Sequence, residues 1–139
     1  MVVRGPNGQF LMAASKRIPG RWSVEEAETI AAEFGVQLAK QHHLMNPILE
    51  TDSLGLVTKL HEAELIESET GIRCRSIRRI LEDLGLNSWQ HVRREGNAAA
   101  HRMAQAETRW NEQIVWFDNR PPPFLVNQLT LDAVTAYIG

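Results

Sequence analysis

The sequence predicts an α/β protein, a mixed sheet with helices packed on its faces. Three observations lead there. Val2-Val3-Arg4 and Phe10 to Ser15 are short apolar runs on either side of a Pro6-Asn7-Gly8 turn signal, which reads as an antiparallel hairpin. Ile48 to Thr51 and Trp89 to Val92 are later strand-like runs. Between and after them, apolar residues recur at helical spacing. The resulting order is β-β-α-β-α-α-β-α, followed by a tail.

Each element has a local reason. Ser23-Val24-Glu25-Glu26 matches a capping box, so a helix is expected from there to about His42. Ala27, Ile30, Ala31, Phe34 and Leu38 form its expected buried stripe, and at 100° per residue Glu28 falls on the flank of that stripe. Asn46-Pro47 ends the helix. Ser53 to about Glu62 reads as a second helix with Leu56, Val57 and Leu60 inward. Glu64 to Thr70 reads as an acidic loop, and Gly71 to Leu84 as a third helix with Ile77, Ile80, Leu81 and Leu84 inward. Gly85 suits the position just past that helix. Arg93 to Gly96 reads as a loop. Asn97 then suits the N-cap of a last helix running to about Trp110, with Ala100, Met103, Ala104 and Glu107 on one face. Ile114 to Phe117 is strand-like, Pro121-Pro122-Pro123 is stiff and extended, and Leu131 to Ile138 has helical character.

Composition narrows the function classes. A chain of 139 residues suffices for one domain with a core. The expected division is a domain over 1–110 and a C-terminal extension over 111–139. A net charge of −2 argues against a bulk electrostatic nucleic-acid binder but leaves room for a local basic patch. Cys74 is the only cysteine, which excludes an internal disulfide and suits a reducing compartment. There is no signal-peptide pattern at Met1 and no apolar run of membrane-spanning length, so a soluble intracellular protein is expected, with no membrane partner.

Chemistry centres on Asp52. It stands at the carboxyl end of an apolar strand and immediately before a helix, where open α/β sheets place their ligands. On local sequence alone Asp52 also reads as an N-cap, Glu28 as a solvated helix residue and His101 as a surface histidine. Arg75, Arg78 and Arg79 share a helix face with Arg73 close by, either a solvated face or a phosphate-contacting patch. Trp89 and Trp110 read as core residues, and Cys74 as a packing residue despite its arginine neighbours.

Four segments together carry a resemblance. Val2 to Phe10 is similar to the strand-turn-strand of plant ribonuclease H-like domains of the retroelement type. Ala27-Glu28-Thr29-Ile30-Ala31 resembles their helix with an acidic "A-E-A" motif. Glu50-Thr51-Asp52-Ser53 resembles their "E-S-D-S" strand end, and His91 to Asn97 their "H-V-x-R-E-x-N" loop. Order and spacing are kept from about residue 2 to 110. The resemblance implies a ribonuclease H-like fold, RNA–DNA hybrid as partner, and cleavage of its RNA strand at two Mg2+ ions. It implies Glu28 and Asp52 as metal ligands and as catalytic residues, with His101 as a proton-transfer residue where many members have an aspartate. Arg93, Arg94 and Asn97, beside that site, are the expected nucleic-acid contacts.

Two departures accompany it. The family's first aspartate lies on a strand before the hairpin, central in a sheet of order 3-2-1-4-5, and this sequence starts after it. The expected fold is therefore a ribonuclease H-like mixed sheet with its N-terminal central strand missing. His101 is a poorer Mg2+ ligand than a carboxylate. Two functional expectations follow. One is a hybrid-binding ribonuclease H-like domain with the family's hydrolase activity. The alternative is a catalytically inactive domain of the same fold that serves as a binding module or is a non-functional fragment.

Overall fold

A computed structural model describes residues 2–4, 9–85, 88–106, 114–117 and 121–125. The chain divides into two compact units, residues 1–20 with 93–139, and residues 21–92. The Pro6-Asn7-Gly8 turn, Glu107, Trp110 and the segment from Leu131 to Ile138 lie outside the described residues.

The first unit is built on a three-stranded antiparallel sheet. β1 (Val2–Arg4) pairs with β2 (Phe10–Ser15), and β2 pairs on its other edge with β5 (Ile114–Phe117), giving the order β1-β2-β5. Met12 faces Phe117 and Ser15 faces Ile114 in that register. A 3-10 turn at Arg94–Asn97 leads into α4 (Ala98–Ala106). Asn97 is buried as the last residue of that turn and stands immediately before α4, the place the sequence suggests for it. α4 lays Ala99 and Met103 on Val2 and Ala13, and Leu125 from a second short turn, Pro123–Leu125, completes the cluster. Phe10 and Trp116 pack against it, and Trp116 meets Phe124 edge-on with ring centroids 6.5 Å apart. Leu125 is fully buried.

The second unit is three helices and a parallel strand pair. α1 (Val24–Gln41) starts on the expected capping box. The Ser23 amide donates to Glu26 Oε2 at 2.8 Å, and the Glu26 amide donates to Ser23 Oγ at 3.2 Å. The buried stripe differs from the expected one. Ala27 and Ala31 are exposed, whereas Thr29, Ala32, Gly35, Val36 and Ala39 are buried with Ile30 and Leu38. Small residues carry little weight in an apolar periodicity, yet they are what let neighbouring elements approach this helix closely. β3 (Leu49–Thr51) pairs in parallel with β4 (Trp89–His91), Leu49 opposite Trp89 and Thr51 opposite His91.

α2 (Leu54–His61) is capped by Ser53, whose Oγ accepts from the Leu56 amide at 3.1 Å. The N-cap reading of Asp52 is therefore off by one residue. α3 (Glu69–Asp83) begins two residues before the expected start, because Ser68 caps it. The expected Glu64–Thr70 loop instead holds part of a 3-10 turn, Ala63–Leu65, and the first residues of α3. α1 and α3 run parallel, with Arg73 Nη1 2.5 Å from Glu33 Oε2 and Lys40 Nζ 2.6 Å from Asp83 Oδ2. Leu56, Leu60, Cys74, Ile77 and Leu81 fill the interior. Two glycines are fixed by geometry. Gly85 ends α3 at φ +95, as a residue past a helix end often does. A β-carbon on Gly71 would stand 2.0 Å from the Ile66 carbonyl oxygen, so only glycine fits there.

Among the described residues, no helix is long and apolar enough to cross a membrane.

Candidate functional site

Glu28 and Asp52 belong to the same unit. Glu28 lies in the second turn of α1 and is half-buried; Asp52, also half-buried, joins β3 to α2. Their elements meet where both helices begin. Glu25, three residues before Glu28, forms an ion pair with Lys59 of α2. A β-carbon on Gly55, in the first turn of α2, would stand 3.3 Å from Glu25 Oε1. At 100° per residue, Glu28 is 60° around the helix from Glu25, on the flank that carries Ala32, Gly35 and Ala39. All three of those residues are buried.

The Asp52 backbone is set by its neighbours. Thr51 is buried, and its Oγ1 accepts from the Ser53 amide at 3.1 Å. The Val92 amide donates to the Thr51 carbonyl at 2.9 Å, which continues the parallel pairing past β4. Glu50, two residues before Asp52, is a buried carboxylate hydrogen-bonded by the side chain of Gln90, its partner across the strands. Sequence reasoning missed Glu50, because a strand glutamate beside a helix start reads as a surface residue until its cross-strand partner is known.

The remaining predicted site residues belong to the other unit. His101 is half-buried in the first turns of α4, with its Nε2 3.2 Å from Gln105 Nε2. Arg93 and Arg94 are exposed at the turn before α4, and Asn97 is buried.

The arginines of α3 are engaged in holding the unit together. Arg73 bridges Glu33 and Glu69, and the hydrogen bond it donates to Glu33 pushes its pKa above the ordinary arginine value. Arg75 Nη1 donates to the carbonyls of Ala63 at 2.7 Å and Ile66 at 3.0 Å, which ties the 3-10 turn to α3. Arg78 lies over the Trp89 ring. Arg79 alone of this group is exposed. The sequence counted the charges correctly, but carbonyls and carboxylates distant in the chain decided where most of them point. Cys74 is fully buried, and burial pushes its thiol above the ordinary value in spite of nearby Lys59 and Arg75.

The donor set at Glu28 and Asp52 is of hard carboxylate oxygens, the kind Mg2+ takes. Among the described residues, no group of three or more acidic, histidine or cysteine side chains comes together as a metal cage. Two carboxylates still fit Mg2+, which keeps several waters and is often held by one or two carboxylates together with substrate phosphates.

A model of the reverse transcriptase-like family matches residues 1–107. The chain belongs to that family, whose domains are ribonuclease H-like, and its mixed α/β architecture agrees with that fold. It is a nuclease-like domain of a nucleic-acid-binding kind. Neither a curated protein nor a solved structure matches the chain.

Proposed function

We propose that the chain is a ribonuclease H-like domain of the plant, retroelement-derived type that binds RNA–DNA hybrid. Glu28 and Asp52 are its Mg2+ ligands, and the exposed Arg93 and Arg94 contact the nucleic acid. His101, in the other unit, is the proton-transfer residue that the family resemblance implies. The observation that carries the proposal is the meeting of the α1 and α2 starts. Glu25 joins the two helices there, in a chain whose family model spans residues 1–107.

Mg2+ held at such a site would supply an activated water and offset charge on the departing oxygen. The chain's own contribution is to hold two anionic oxygens in place and to leave room for phosphates. Asp52 is fixed between the Thr51–Ser53 hydrogen bond and the Ser53 cap. Glu28 is fixed by a helix packed along its length. Two carboxylates alone hold the ion weakly, so the phosphates of the hybrid have to complete its shell. Cleavage by this chain is accordingly weak or nil.

A second reading, an inactive domain that binds without hydrolysis, is favoured by the lack of a three-ligand cage among the described residues. A hybrid-cleavage assay with Mg2+, wild type against Asp52→Asn, separates the two. Slow, chelator-sensitive cleavage that Asp52→Asn abolishes supports the catalytic reading. Hybrid binding with no cleavage supports the binding module. Neither binding nor cleavage would sink both.

A further inference from the structure

Three side chains from three elements converge at the end of the second unit that lies away from Asp52. Trp89 opens β4, His61 ends α2, and Arg78 lies in the middle of α3. The His61 and Trp89 ring centroids are 5.1 Å apart at 54°, and Arg78 Cζ is 5.7 Å from the Trp89 ring centroid. In the parallel register Trp89 stands opposite Leu49, at the start of β3, whereas Asp52 follows its end. The length of α2, about 12 Å for eight residues, separates His61 from the Ser53 cap.

Two hydrogen-bond donors in this cluster lack acceptors. Arg78 Nε and the Trp89 indole Nε1 are both buried, and neither has a partner. Leaving a buried donor unsatisfied costs about 1–3 kcal/mol, so two in one cluster call for an explanation. Both atoms only donate, so the missing partner is an acceptor. Among the described residues, no carboxylate pairs with Arg78, although Arg73 on the same helix has two. The group that accepts from several donors at once and balances a guanidinium is an oxyanion, and arginine matches phosphate geometry in particular. Arg78 and Trp89 are half-buried and His61 is exposed, so the cluster lies at the surface.

We propose that Arg78, Trp89 and His61 form a binding site for a phosphate group, separate from the candidate metal site. Arg78 and Trp89 supply the two buried donors, and His61 closes the rim. A free phosphate and a phosphate of a nucleic-acid backbone present the same chemistry to it.

The Trp89 indole proton is a direct reporter. In a nitrogen–proton spectrum the chain gives one indole signal for each of its four tryptophans, and Trp89→Phe assigns the relevant one. Inorganic phosphate, titrated without divalent metal and at constant ionic strength, is expected to move that signal and the Arg78 Nε proton saturably, while chloride leaves them in place. A parallel titration with an RNA–DNA hybrid oligonucleotide tells a backbone phosphate from a free one. Arg78→Gln is expected to weaken the effect at least about tenfold, and Arg78→Lys, which keeps the charge without the fork, to weaken it less. The other indole signals report whether each variant folds, and the wild-type titration stands alone if one does not. Running it in Asp52→Asn as well keeps the result independent of the metal-site reading. A Trp89 signal that neither phosphate nor oligonucleotide moves overturns the proposal, as does one that moves equally in Arg78→Gln.

Discussion

The two units of this chain are encoded in opposite ways. Residues 21–92 form one continuous stretch whose helices carry their own start signals: Ser23 with Glu26, Ser53 and Ser68. The other unit joins residues 1–20 to residues 93–139, and its central strand, β2, is flanked by strands from both ends of the chain. Its core needs Leu125 and Trp116, which lie beyond the stretch that the family model matches. One unit is held by local signals and packed helices, the other by pairing across more than a hundred residues. Closing a loop of that length costs entropy before any contact forms, so the second kind of unit is the slower and more fragile to assemble.

The largest expected effect comes from breaking the long-range unit. Removing residues 108–139 takes away β5 and Leu125 together, and hydrogen exchange should show β2 amides losing protection while α1 and α3 keep theirs. Retained β2 protection would contradict the comparison. Leu125→Ala alone should cost about 2–5 kcal/mol in a denaturant melt.

Next comes Gly71→Ala, which tests the helical unit at its tightest point. A β-carbon 2.0 Å from the Ile66 carbonyl forces backbone to move, and a loss of about 1–3 kcal/mol or more is expected. A Tm within a degree of wild type would show that the 3-10 turn gives way easily.

Cys74 sharpens the same point through pH. Its thiol is raised by burial, so folding is favoured while that thiol is neutral. The contribution is complete below the ordinary thiol pKa and is lost as pH rises from there through the higher folded value. Stability should fall on the alkaline side in wild type and less so in Cys74→Ala. Alkylation of Cys74 at pH 8 should proceed only as fast as the unit opens.

The smallest effect expected is at the α1 cap. Ser23→Ala should cost about 1 kcal/mol. Hydrogen bonds from Ser23, the backbone amide first, hold the Glu26 carboxyl below its ordinary range. The benefit of the capping box is therefore present above the ordinary glutamate pKa and is lost as pH falls through the lowered one. Glu26→Gln should flatten that acid-side dependence in a melt.

These contrasts also explain what the sequence could tell. The hairpin, the capping box of α1 and the glycine after α3 were legible, and the start of α2 to within one residue, because each depends on residues within a few positions of one another. The buried face of α1 was misjudged, because Thr29, Ala32 and Gly35 are small and their burial is decided by their neighbours. The pairing of Ile114–Phe117 with β2 had no local sign at all. Glu28 and Asp52 stand out in the sequence only as members of a recurring set of motifs. Glu50, buried against Gln90, needed the strand register. Arg78 reads in the sequence as part of a solvated face or a phosphate-contacting patch and Trp89 as a core ring, and only the folded structure brings the two together.

In the proposed function, Glu28 and Asp52 hold Mg2+ jointly with the phosphates of a nucleic acid. Measuring RNA–DNA hybrid affinity with and without Mg2+, for wild type and Asp52→Asn, tests this directly. Mg2+ should tighten wild-type binding on the order of tenfold, about 1.4 kcal/mol, and leave Asp52→Asn nearly unchanged. Equal Mg2+ dependence in the two proteins would contradict it.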